Sequence, residues 1–128
     1  MFYSPDIAKL LLRVSVGGLM LFHGIHKVIY GVSGVKSMLH SAGLAEFLAY
    51  GVYVGEVVMP IFIILGLYAR VASLVLAFNM LVAIFLAYGF SFSLSKYGGL
   101  AMESPLIFFI MSLVIFLLGS GRYGVNSK

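Results

Sequence analysis

A chain of 128 residues that is 62% hydrophobic and 9% charged falls outside the range of soluble domains, which are about half apolar and a quarter charged. It reads as an integral membrane protein. Its lack of cysteine excludes a disulfide framework, thiolate ligands, a CxxC redox pair and c-type haem attachment, while a net charge of +4 with no basic run suits lipid head groups and not nucleic acid.

The first apolar stretch has no basic region ahead of it and no small-x-small cleavage site before His23, so it reads as a spanning helix and not a signal peptide. Ser4 can cap it, Pro5 suits the first helical position, and Asp6 complements the positive end of the dipole. Arg13, Gly17, Met20, Gly24 and Lys27 share one face at a 3.6-residue period. Two readings of Arg13 stay open there: a cation reaching out to an interface, or an internal partner for Glu56.

Gly31–Gly43 follows, with Val35, Met38, Leu39 and Ala42 at helical spacing. A short helix lying on the membrane surface accounts for it.

The stretch Leu44–Arg70 carries Glu56 near its middle. A carboxylate at that depth costs on the order of 3 kcal/mol on insertion scales, so it should face other helices or a polar cavity. Gly51 and Gly55 form a GxxxG beside it, and Pro60 withholds the N–H that would bond the Glu56 carbonyl. The next helix follows at once and has to be an antiparallel neighbour. Its Asn79, near mid-depth, can pair with Glu56 or serve simply as interhelical glue. A Ser/Gly/aromatic linker over Gly89–Gly99 precedes the last helix, with Glu103 in its first turn. The closing GSGRYGVNSK reads as a polar stop.

The sequence thus predicts an all-α fold, a four-helix transmembrane bundle with a short interfacial segment between helices 1 and 2. The helices run over about 5–29, 44–68, 71–89 and 100–118 in a single domain, 1–128. Lys9, Arg70, Arg122 and Lys128 fall on the side of the termini, with Arg13 near it, against Lys27, Lys36 and Lys96 on the other. That places both termini in the cytoplasm. At 1.5 Å per residue, Arg13 lies about 9 Å inside the cytoplasmic end. Glu56 and Asn79 then sit near the midplane, with His23, His26, Lys27 and Glu103 toward the outer end. Pairing of Glu103 with His23 or Lys27, and of Glu56 with Arg13, would complete a broken polar ladder.

A bis-histidine haem would need histidines on facing helices, whereas His23 and His26 share one helix and His40 lies in the surface segment. A metal held by His23, His26 and Glu103 rests only on an i, i+3 spacing, and neither metal nor haem is expected. A lipid-soluble head group such as a quinone fits the few donors and acceptors better, and a desolvated glutamate can exchange protons with it. Pairing that merely holds the helices in register is the alternative.

Taken together, RxxxG…HGxxK (Arg13, Gly17, His23, Gly24, Lys27), GxxE with a following proline and LGLYAR (Glu56, Pro60, Leu65–Arg70), Asn79–Met80 with Ala83, Glu103 and the closing Gly119–Asn126 resemble the DoxX family of small prokaryotic membrane proteins. The family often has an acidic residue after its closing turn, where this chain has Gly124–Val125–Asn126. The resemblance implies a prokaryotic inner membrane and association with quinone or with redox complexes. On that reading Glu56 and Glu103 are the proton-handling, catalytic groups. His23 and Lys27 contact the head group, while Arg13 and Asn79 orient Glu56. The expected partners are the bilayer, a quinone, and a redox protein or further copies of the chain. The competing class is a non-catalytic scaffold that docks a partner through glycine faces such as those of Gly17 and Gly55. A small-solute transporter is disfavoured, because no inverted repeat is visible.

Overall fold

The computed structural model describes residues 4–126, and among these the chain is all-α, with five helices and no strand. Helix α1 spans Pro5–Tyr30, α2 Ser33–Ser41, α3 Glu46–Leu65, α4 Ala69–Tyr88 and α5 Glu103–Leu118. Three of them, α1, α3 and α4, are long and apolar enough to cross a bilayer. The fourth apolar helix, α5, has 16 residues and packs along α4.

The start of α1 follows from its own residues: the Ser4 hydroxyl accepts from the Ile7 N–H at 3.3 Å, with Pro5 and Asp6 in the first turn. The end of α3 is equally local. Gly66 takes φ +70°, the Gly66 N–H donates to the Ile63 carbonyl and the Leu67 N–H to that of Phe62, so a Schellman turn stops the helix at Leu65. Leu94 and Leu100 meet across a tight reversal in the linker that precedes α5, which starts at Glu103.

α3 is not uniform. It opens as a 3₁₀ turn over Glu46–Tyr50 and widens into a π turn over Val54–Val58, where the Met59 N–H reaches back to the Val54 carbonyl. Pro60 lies just beyond and cannot donate to the Glu56 carbonyl, so the wider turn falls where the regular ladder is already broken. Gly55 and Glu56 within it are both buried.

Small residues set how close the helices come. Gly24 of α1 rests directly on the Glu56 carbonyl, where any side chain would overlap, and a Cβ on Gly17 would stand 2.8 Å from the Pro60 carbonyl oxygen. On the other side of α3 a Cβ on Gly55 would stand 2.7 Å from Asn79 Cγ. The core between α1, α3, α4 and α5 contains Val16, Met20, Ile63, Leu76, Met80 and Ile115. A smaller cluster of Val32, Leu39 and Ala49 seats α2 against α3. Large apolar side chains such as Leu11, Phe22, Val71, Leu74 and Leu117 point outward, as lipid-facing helices require.

The closing segment is not a free polar stop. The Val125 N–H donates to the Leu65 carbonyl at 3.0 Å and the Asn126 N–H to that of Gly66 at 3.2 Å. The Asn126 side chain accepts from the Tyr68 N–H at 3.0 Å, and the Arg122 N–H donates to Asp6. The tail therefore fastens the α3–α4 turn to the start of α1.

Candidate functional site

Glu56 is 4% exposed and fully engaged. Lys27 Nζ lies 2.5 Å from its Oε1, and Asn79 Nδ2 donates to its Oε2 at 3.1 Å. The Tyr53 hydroxyl donates to the Lys27 carbonyl at 3.3 Å, tying the same turn of α1 to α3. A carboxylate withdrawn from water is tolerated when both oxygens are bonded to donors, one of them a cation. α1, α3 and α4 each supply one member of this triad.

The pairing follows from helix direction. α1 and α3 are antiparallel with Gly24 beside Glu56, and side chains on a helix lean toward its N-terminus. Lys27, one turn beyond Gly24, thus leans back onto Glu56. Arg13 lies 11 residues before Gly24, about 16 Å along the axis, and leans farther away. The expected Arg13–Glu56 pair does not form. Arg13 Nη1 instead donates to the carbonyls of Ile63 and Ile64, at 3.2 and 2.9 Å. It closes the negative end of α3 from 1% exposure.

Two cavities meet at the triad. The smaller, about 130 Å³, is bounded by His23, Lys27, Glu56, Met80, Ser104 and Phe108 among others. The larger, about 510 Å³, lies between α2, α3 and α4, and its lining includes Leu39, Leu48, Gly51, Phe78, Asn79, Val82 and Leu86. Lys27, Glu56 and Ala83 border both. The ion pair is therefore a shared wall, with a small chamber of mixed polar and apolar lining on one side and a large, mostly apolar one on the other.

His23 borders only the smaller chamber, its ring edge-on to Phe108 at 5.9 Å, so it does not join Lys27 around a ligand in the larger one. Glu103 joins neither. Its carboxylate lies over Gly99 in the linker, and among the described residues it makes no ion pair; the expected pairing with His23 or Lys27 is absent, and of the first turn of α5 it is Ser104 and Pro105 that border the smaller chamber. His26 stacks on Tyr30 and His40 faces Glu46 at 3.8 Å. No group of three metal-ligating side chains occurs among the described residues. On α2, Lys36 donates to the Tyr50 hydroxyl at 2.7 Å. That bond holds its ammonium above the ordinary lysine range.

Sequence reading missed two contributors, Tyr53 and Ser104, and named Ala83 only as a small residue of the family pattern, not as a cavity wall. Tyr53 lies one turn before Glu56 on the same face, a spacing that flags it. Ser104 sits in the first turn of α5 and Ala83 one turn past Asn79, and nothing local marks either as a cavity residue. The glycine faces offered for docking are used inside the chain: Gly17 and Gly55 pack on Ile64 and Asn79.

Apolar helices enclosing one hydrogen-bonded lysine–carboxylate pair define a membrane protein with an intramembrane ionisable site. The chain belongs to the DoxX family, whose model matches residues 8–89. Arg13, His23, Lys27, Glu56 and Asn79 all fall within that match, whereas Glu103 and the closing segment lie beyond it. The chain is 32% identical over 81 residues to a Bacillus subtilis (strain 168) protein named "Putative oxidoreductase CatD". The similarity covers 63% of this chain and 60% of that relative. No solved structure matches.

Proposed function

We propose that this DoxX-family protein binds the head group of a quinone-class carrier in the larger chamber and serves a redox complex as its proton-handling membrane subunit. The observation that carries this reading is the Lys27–Glu56–Asn79 triad at the wall of an apolar cavity of about 510 Å³. That volume lies within the range of small-molecule sites, which pair apolar walls with a few convergent polar groups. Lys27 and Asn79 donate to head-group oxygens, and the apolar walls of α2 and α4 take the ring and the start of its tail. Such a carrier supplies two-electron, two-proton chemistry, its electrons coming from a partner redox protein. The chain holds Glu56 where it can give up or take a proton at the chamber wall. Glu103 stays outside this role, since its carboxylate faces the linker.

The same reading gives the chain four spans in a prokaryotic inner membrane, α5 completing the bundle beside α4, with α2 at the head-group level. Lys9, Arg13, Arg70 and Arg122 gather at the end of the termini, against Lys27, Lys36 and Lys96, which supports cytoplasmic termini. The relative's name, an oxidoreductase, supports the redox association.

Gly51 supplies the test. It borders the larger chamber, and a Cβ there meets nothing within 4 Å, so Gly51→Leu fills the cavity without disturbing the helix. Protein purified in mild detergent is extracted into organic solvent and its quinone quantified. Near-stoichiometric quinone in the wild type and little in Gly51→Leu supports the reading. Quinone absent from folded wild type, or unchanged in Gly51→Leu, contradicts it.

A further inference from the structure

The smaller chamber has no part in holding the carrier, yet it touches the same carboxylate. We propose that it is a hydrated proton inlet to Glu56, with His23 as the group that exchanges protons with the aqueous side; this rests on the larger chamber being the carrier site.

Its size and chemistry are those of a wet cavity. A volume of about 130 Å³ leaves room for more than one water, and water needs two to four polar partners to stay. His23, Lys27, Glu56 and Ser104 provide them. The larger chamber has its polar groups on one wall only, and most of its lining is aliphatic or aromatic. Glu56 divides its oxygens between these surroundings: Asn79, bonded to Oε2, borders only the larger chamber, whereas Lys27, bonded to Oε1, borders both. His23 is exposed, and of the groups bordering the smaller chamber its imidazole is the one that can accept a proton at one ring nitrogen and donate one from the other.

The groups facing Glu56 are few. α1 contributes Lys27 and, across the chamber, His23; α4 contributes Asn79; α5 contributes the neutral Ser104; and the lining from α2 is apolar. No second carboxylate competes for the proton, since Glu103 lies over Gly99. A proton taken from water by His23 makes an imidazolium. Its passage through chamber water to Glu56 restores the neutral ring and leaves a neutral carboxyl beside the Lys27 ammonium. Transfer from the carboxyl to an oxygen of the carrier head group, which gains its electrons from the partner redox protein, restores the carboxylate. One proton moves through the chain per cycle and no electron does.

Two measurements test this. The chain has no cysteine, so single cysteines report without background. In vesicles, Met80→Cys in the smaller chamber should react with a cationic methanethiosulfonate faster than Val82→Cys in the larger one. Second, the infrared signal of the Glu56 carboxyl after an acid jump, assigned by its loss in Glu56→Gln, should be about a hundredfold slower in His23→Ala, the scale of a lost acid–base relay. Free imidazole should restore the rate, and quinone content should be unchanged. Met80→Cys inert to the cationic reagent, or an infrared response indifferent to His23, overturns the inlet. A fast, His23-dependent response in protein that never binds quinone supports the inlet and overturns the carrier reading alone.

Discussion

Glu56 is held by contacts on two kinds of atom. Its side chain meets Lys27 and Asn79, and its carbonyl, to which Pro60 cannot donate, rests on Gly24. Gly24→Ala should force α1 and α3 apart and cost about 1–3 kcal/mol, the usual range for overpacking. Gly18→Ala, on the same helix with nothing within 4 Å, should be neutral or stabilise by up to about 1 kcal/mol. Equilibrium unfolding in detergent separates the two. The ion pair makes a second prediction. Lys27→Met strands a buried carboxylate and should cost about 3–5 kcal/mol, whereas Lys27→Met with Glu56→Gln should regain most of that loss, because no unpaired charge remains. The same unfolding curves read both, and the double variant should still fail to retain quinone. That Glu56 needs polar company was legible from one acid in a long apolar run. Which cation supplies it was not, because the choice depends on the axial offset of two helices, which the close contact at Gly24 sets. The lean of helical side chains toward the N-terminus favours Lys27, and it was the signal that could have chosen.

Among the elements, α3 and the closing segment depart most from a simple sequence reading. The π turn at Val54–Val58 could be suspected from Pro60 but not placed, since its position follows from what α1 and α4 press against. The closing segment reads as polar and glycine-rich, and polarity alone suggests a free end. Its docking depends on Gly66, which is 58 residues before Gly124: a Cβ on Gly66 would stand 2.4 Å from Gly124 Cα and 2.7 Å from Arg13 Nη1. Gly66→Ala would therefore suffer twice, from the clash and from φ +70°. It should release the tail and raise hydrogen exchange at the Leu67 and Tyr68 amides by more than tenfold, about 1.4 kcal/mol of local opening. Exchange at the same amides in Asn126→Ala should rise less, since only the Tyr68 N–H loses its acceptor. Unchanged exchange in both would mean the tail does not secure the turn.

For the whole molecule, the apolar segments and their turns were legible because hydrophobic runs, Pro5 and Gly66 are local signals. The two chambers were not. They exist only where α1, α3, α4 and α5 on one side, and α2, α3 and α4 on the other, fail to close around Lys27 and Glu56, and residues such as Ala83 and Ser104 join them through packing alone. The arrangement makes one claim central: the larger chamber, with Lys27, Glu56 and Asn79 at its wall, is a ligand site. Titration calorimetry of the purified protein with a short-chain benzoquinone tests it most directly, comparing wild type with Glu56→Gln and Asn79→Leu. The account predicts one site per chain in the wild type, weakened about tenfold or more in each variant, as expected when a hydrogen bond of roughly 1.5–3 kcal/mol to or beside a charged group is lost. No binding in the folded wild type, or equal affinity in all three, would contradict it.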